Sequence, residues 1–91
     1  MKIDLPDIDI QPSWTEASQL KKIFEEAGEV AEAVALSDPV NTIKELLDTM
    51  QTCKTLIAMT VKEYSWDINK FITQHNEKLK TKGYLKEGEE L

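Results

Sequence analysis

Two acidic pairs stand on either side of a helix break. Glu26 and Glu29 lie in the run Glu25-Glu26-Ala27-Gly28-Glu29, and Glu45 and Asp48 lie in Glu45-Leu46-Leu47-Asp48. Between them, Ser37-Asp38-Pro39 interrupts the helical pattern. Residues three apart share one side of a helix and are about 4.5 Å apart along its axis. Two helices packed antiparallel would bring all four carboxylates to one point. Four such charges repel strongly unless a cation sits among them. The chain is therefore constrained towards two consecutive helices that present oxygen ligands to a hard divalent metal.

The rest of the pattern is helical as well. Ser13-Trp14-Thr15-Glu16 has the spacing of a capping box and predicts the start of a first helix at Ser13. Leu20, Ile23, Phe24, Ala27, Val30, Ala31 and Val34 recur at three- and four-residue spacing and form its apolar face. Gln19, Lys22, Glu26, Glu29 and Ala33 form a stripe on one flank, with Glu25 and Glu32 placed on the opposite flank. Asp38 as cap and Pro39 in the first turn predict a second helix over 40–63. Its main apolar face is Ile43, Leu46, Leu47, Met50, Cys53, Ile57 and Val61. Glu45, Asp48 and Thr52 lie on the other side, joined by Leu56 and Met59. A helix apolar on two faces is one buried between neighbours. Ser65 as cap predicts a third helix over 66–81, with His75 on its apolar face as a core residue and Gly83 as its stop.

These readings give an all-α fold. A three-helix protomer (13–84) follows an extended arm (1–12) and precedes an acidic, mobile tail (85–91). The arm alternates apolar and acidic residues around Pro6 and Pro12, so it packs on the body or on a neighbour, a short edge strand being the alternative. Ninety-one residues bury a modest core alone. Oligomerisation into a four-helix-type bundle, dimeric or tetrameric, is expected to cover Leu56 and Met59.

A net charge of −6 and a pI near 4.7 exclude a general DNA- or RNA-binding surface. A nucleotide substrate stays open, because a bound metal inverts the local field. The lone Cys53 forms no internal disulfide and fits a reducing, cytoplasmic setting. No signal-peptide pattern or transmembrane stretch is present in the sequence, so no membrane partner is expected.

One acidic pair alone would be read as a solvated helix face. Two in succession, the second on a helix that otherwise looks buried, point to metal, since unpaired carboxylates are costly there. The all-oxygen donor set suits Mg²⁺, with Mn²⁺ as substitute, and disfavours Zn²⁺ or Cu²⁺. No Gly-rich phosphate loop and no nucleophile motif occur. Phosphoryl chemistry needs placement and charge stabilisation more than a covalent nucleophile.

The spacing Glu25-Glu26-x-x-Glu29, fifteen residues, then Glu45-x-x-Asp48, followed by a third helix, resembles the MazG-like all-α nucleoside triphosphate pyrophosphohydrolases. That superfamily includes dimeric dUTPases and dCTP pyrophosphatases. The likeness covers about residues 13–84 and is nearest to its short single-domain bacterial and phage members. It implies hydrolysis of NTP or dNTP to NMP or dNMP and pyrophosphate, in a house-cleaning role, by dimers or tetramers. It implies that Glu26, Glu29, Glu45 and Asp48 hold Mg²⁺. Asn76 corresponds to a nucleotide-contacting asparagine, and Lys78 and Lys82 to residues that meet phosphates. Trp14, Gln19 and Lys22 are candidates for substrate contact, and Glu25 for a water-orienting base. The competing reading is a helical interaction module that has kept the fold without catalysis.

Overall fold

The computed structural model describes residues 1–89. It contains α1 (Glu16–Ala35), α2 (Pro39–Tyr64) and α3 (Ile68–Thr81), with no strand among the described residues. The expected all-α fold is present. Residues 1–12 form an extended arm without an edge strand. In the tail, Glu89 N–H donates to the Lys86 carbonyl at 3.0 Å, and the last two residues of the expected tail lie outside the described ones.

The helix ends follow local chemistry and correct two of the sequence expectations. Thr15, not Ser13, caps α1: Ser18 N–H donates to its Oγ1 at 3.0 Å, and Thr15 N–H donates to Ser18 Oγ at 2.9 Å. The reciprocal partner is a serine where a glutamate was expected, and the whole box slides by two residues. Asp38 caps α2 by accepting from Asn41 N–H at 3.1 Å, with Pro39 in the first turn. Asp67, not Ser65, caps α3. Ser65 closes α2 from the left-handed region, at φ 54°.

Ser37 closes α1 in the same conformation, also at φ 54°. Each serine sits in a helix-ending loop in which the next residue's N–H reaches back to the last turn, Asp38 to Ala33 and Trp66 to Val61. Gly83, at φ 72°, does this for α3 with no Cβ to crowd the following carbonyl. A side chain costs about 1 kcal/mol there. Ser65→Gly is therefore expected to stabilise the fold by about 0.5–1 kcal/mol, read as a higher urea midpoint at unchanged slope.

α1 and α2 form an antiparallel hairpin, the only pair of helices in extended contact among the described residues. Its seam is not where the apolar stripes point. The buried residues of α1 are Gln19, Glu26 and Ala33, and those of α2 are Thr52 and Thr55. On a helical wheel the α1 seam is turned about 90° from the centre of its apolar stripe, and the α2 seam faces nearly opposite its own. Phe24 is 70% exposed and Ile43 58%, and Ala33 is the one buried hydrophobic residue among those described. The apolar faces expected to form a core within the chain are thus left on its surface. Leu56 and Met59, expected to need a partner, are half-buried instead. His75, expected in the core, is exposed.

α3 packs along neither helix of the hairpin. It is tied to the end of α2 by an aromatic run, Tyr64 stacked on Trp66 at 4.8 Å and Trp66 tilted against Phe71 at 5.5 Å. The result is an open shape. The radius of gyration is 15.4 Å, against about 12 Å for a compact chain of this length. The accessible surface is 7490 Å², against about 5,400 Å² for a compact monomer of this mass.

Candidate metal centre

The hairpin register brings the acidic pairs together. Glu29 and Glu45 are each eight residues from Ser37 in the turn, and Glu26 and Asp48 each eleven. An antiparallel pair therefore sets 29 across from 45 and 26 across from 48. On α2, Glu45, Asp48 and Thr52 share the seam face at three- and four-residue spacing. On α1, Glu26 points into the seam and Glu29 and Lys22 flank it.

Two features define the electrostatics. Glu26 is buried, 8% exposed, and its Oε1 accepts from the Thr52 hydroxyl at 2.6 Å. Glu45 Oε2 is buried and receives no donor. The Glu45 carboxyl is raised above the ordinary glutamate range, first by a proton shared with Glu29, then by burial, then by the charges of Glu29, Asp48 and Glu26. The four carboxylates thus share one field. A buried carboxylate oxygen without a donor is costly, and the natural relief for one set among three other carboxylates is a cation. The residues fit a hard divalent ion by donor type, although among the described residues no three are already drawn to coordinating positions.

Glu26, Glu29 and Asp48, but not Glu45, open onto a groove of about 430 Å³ whose acidic wall is completed by Glu25. Its non-acidic members are Lys22, Gln51 and Thr52. Glu25 was expected on the far flank, yet it lines this groove. It lies opposite the apolar stripe, and because the seam is turned away from that stripe, the outer side of α1 becomes the rim. Glu25 also pairs loosely with Lys21 at 4.0 Å in an exposed setting.

The other sequence candidates lie elsewhere. Gln19 is buried further along the seam, 5% exposed. Trp14 lines a separate cavity with Glu16, Met59, Glu63 and Tyr64. Asn76 and Lys78 are on α3 and Lys82 caps its C-terminal end; none of the three lines the groove. Thr52 and Gln51 were not singled out as site residues. The signal for Thr52 was its position four residues after Asp48 on the same face. Gln51 carried no comparable signal.

The family described as MazG nucleotide pyrophosphohydrolase domain matches residues 14–83, most of the chain and all three helices. The chain belongs to that family. No curated protein and no solved structure matches it. The MazG match spans both acidic pairs and the hairpin that joins them. No helix of the described residues is long and apolar enough to cross a membrane.

The cavity beside Trp14 holds a second acidic contact, away from the groove. The Glu16 carboxyl is raised by a hydrogen bond shared with Glu63, then by burial, then by the Glu63 charge. A carboxyl with a raised value in the folded state contributes stability when protonated, and that contribution is lost as pH rises through the raised value. Glu63 also stands at the C-terminal end of α2, where negative charge opposes the helix dipole. Glu63→Gln is expected to raise the melting temperature at pH 7 by about 1–3 °C. The gain should vanish below pH 4, as thermal scans at the two pH values will show.

Proposed function

We propose that this chain is a Mg²⁺-dependent nucleoside triphosphate pyrophosphohydrolase. Water opens the α–β phosphoanhydride of an NTP or dNTP, giving the nucleoside monophosphate and pyrophosphate. The observation that carries the reading is the shared field of Glu26, Glu29, Glu45 and Asp48 across one helix seam, with Glu45 Oε2 left without a donor. These four residues would hold Mg²⁺, with Mn²⁺ as a substitute. When bound, the metal supplies charge neutralisation for both the carboxylates and the phosphate oxygens, and polarises water.

The chain's own residues set the stage. Thr52 fixes Glu26 Oε1 by its hydroxyl, leaving the other carboxylate oxygen as a donor for the ion. Lys22 supplies positive charge among the groove's lining residues, suited to a phosphate oxygen. Glu25 at the rim is placed to orient a water. Asn76 and Lys78, with Lys82 at the C-cap, belong to α3, which packs along neither α1 nor α2, and are free to meet substrate at a neighbouring copy. The working unit is accordingly at least a dimer. A nucleotide substrate and the free Cys53 support a cytoplasmic place of action.

The test is incubation with a panel of NTPs and dNTPs plus Mg²⁺, with the products separated. Monophosphate and pyrophosphate in equal amounts are expected. Orthophosphate in place of pyrophosphate would overturn the bond assignment, and no turnover of any nucleotide would overturn the activity. The alternative, a catalytically silent helical module, is favoured by the absence of preformed coordinating positions among the described residues. It predicts no heat of Mg²⁺ or Mn²⁺ binding in calorimetry, with or without nucleotide.

A further inference from the structure

We propose that Gln51 binds the phosphate chain of the substrate and that the N-terminal arm is the strap that positions it; this rests on the nucleotide reading above. The argument begins with hydrogen-bond donors. A polyphosphate entering the groove brings acceptors only, and the carboxylates that line it offer none of the hydrogens it needs. The Thr52 hydroxyl hydrogen is already given to Glu26 at 2.6 Å. Lys22 and Gln51 are the remaining lining side chains that donate. Gln51 Nε2 carries two hydrogens, and one goes to the Pro6 carbonyl at 2.8 Å. The second is available to the groove. A neutral amide donates to phosphate without competing with a cation for the carboxylates, which an ammonium at the same place would do.

The arm is docked by more than this bond. Lys54, one turn beyond Gln51, donates through Nζ to the Leu5 carbonyl and lies 3.2 Å from Asp7 Oδ1. Successive carbonyls of the arm, those of Leu5 and Pro6, are thus taken by residues three apart on α2. Pro6 fixes its own φ and holds Leu5 extended, which presents the two carbonyls in a set geometry. Ile3 and Leu5 line one cavity with Met50, Cys53 and Ile57 of the apolar stripe. Lys54 falls within that stripe on the helical wheel, a charge among apolar residues, and it is the anchor. An amide held in this way loses less freedom when it meets a ligand, so the arm supplies affinity by preorganisation.

The test uses the full chain with Mg²⁺ and a non-hydrolysable α,β-methylene nucleotide, measured by calorimetry, beside steady-state kinetics on the substrate. Gln51→Ala, Lys54→Met and deletion of residues 2–9 are each expected to weaken binding by about 3- to 10-fold. KM should rise by the same factor with kcat within about twofold, as for uniform binding. Combining Gln51→Ala with the deletion should cost no more than Gln51→Ala alone, since both remove one contact. Inorganic triphosphate should lose affinity in parallel with the nucleotide. Lys54→Met keeps chain length and the apolar stripe, and reads the strap even where the deletion unfolds. Affinity within about 1.5-fold of wild type for Lys54→Met, or effects that multiply, would overturn the proposal. So would a loss confined to the nucleotide. Absence of nucleotide binding by the wild-type chain overturns the functional reading as well, whereas wild-type binding with an inert Lys54→Met overturns this proposal alone.

Discussion

Glu29→Gln or Asp48→Asn is expected to lower pyrophosphohydrolase turnover by more than about a hundredfold, near 3 kcal/mol of transition-state stabilisation, without loss of fold. The two halves of this outcome come from the same geometry. Four carboxylates across one seam repel, and the charges of Glu29, Asp48 and Glu26 help to raise the Glu45 carboxyl. Removing one charge relaxes that repulsion in the metal-free chain, so its melting temperature should hold or rise. The same change removes an oxygen ligand, so Mg²⁺ should no longer raise the melting temperature as it does for the wild type. Glu32→Gln is the control: Glu32 is exposed and does not line the groove. Turnover and melting in the presence and absence of Mg²⁺ decide the matter. Equal losses for Glu29→Gln and Glu32→Gln would remove Glu29 from its proposed role.

The second large effect concerns assembly. Sedimentation at micromolar concentration is expected to give a dimer or larger, and Phe24→Asp or Ile43→Asp should shift it to the 10.4 kDa protomer. Phe24, Ile43, Leu46 and Met50 form exposed apolar faces on the two helices. Each large apolar side chain left in water forfeits roughly 1.5–3 kcal/mol. The protomer exposes about 2,000 Å² more than a compact chain of its mass, which is the scale an obligate interface buries. A second copy packed by two-fold symmetry would cover these faces and supply the missing half of a four-helix bundle. A clean monomer that still hydrolyses nucleotide would refute this.

The hairpin and its acidic cluster were legible in the sequence because both depend on counting. Equal separations from Ser37 fix which residues face each other, and Pro39 with Asp38 fixes the turn. Which side of each helix turns inward was not legible. Apolar periodicity marks the face that is buried somewhere, and it does not say by what. In α2 that face is directed away from α1, while Thr52 and Thr55 meet α1 in its place. This is why Glu25 was assigned to the wrong side and why Leu56 and Met59 were read as the surplus apolar groups. Capping was legible in kind and missed in register, since Ser13 and Thr15 are both competent hydroxyls and only Thr15 finds Ser18 in reach. The docking of the arm through Gln51 and Lys54 joins residues more than forty positions apart, beyond any local pattern.

The polar seam has a consequence for how the hairpin moves. Separating two helices ordinarily exposes apolar side chains, and that exposure is what keeps them shut. Here separation would chiefly hydrate threonines, a glutamine and carboxylates, groups that water welcomes; among the described hydrophobic residues Ala33 alone would leave full burial, and half-buried ones such as Leu56 and Met59 would lose part of theirs. Opening of the hairpin is therefore cheap, of the kind seen as fast amide hydrogen exchange in low-stability segments. The two walls of the groove would breathe against each other in the metal-free protein, and ion capture across the seam would act as a clasp.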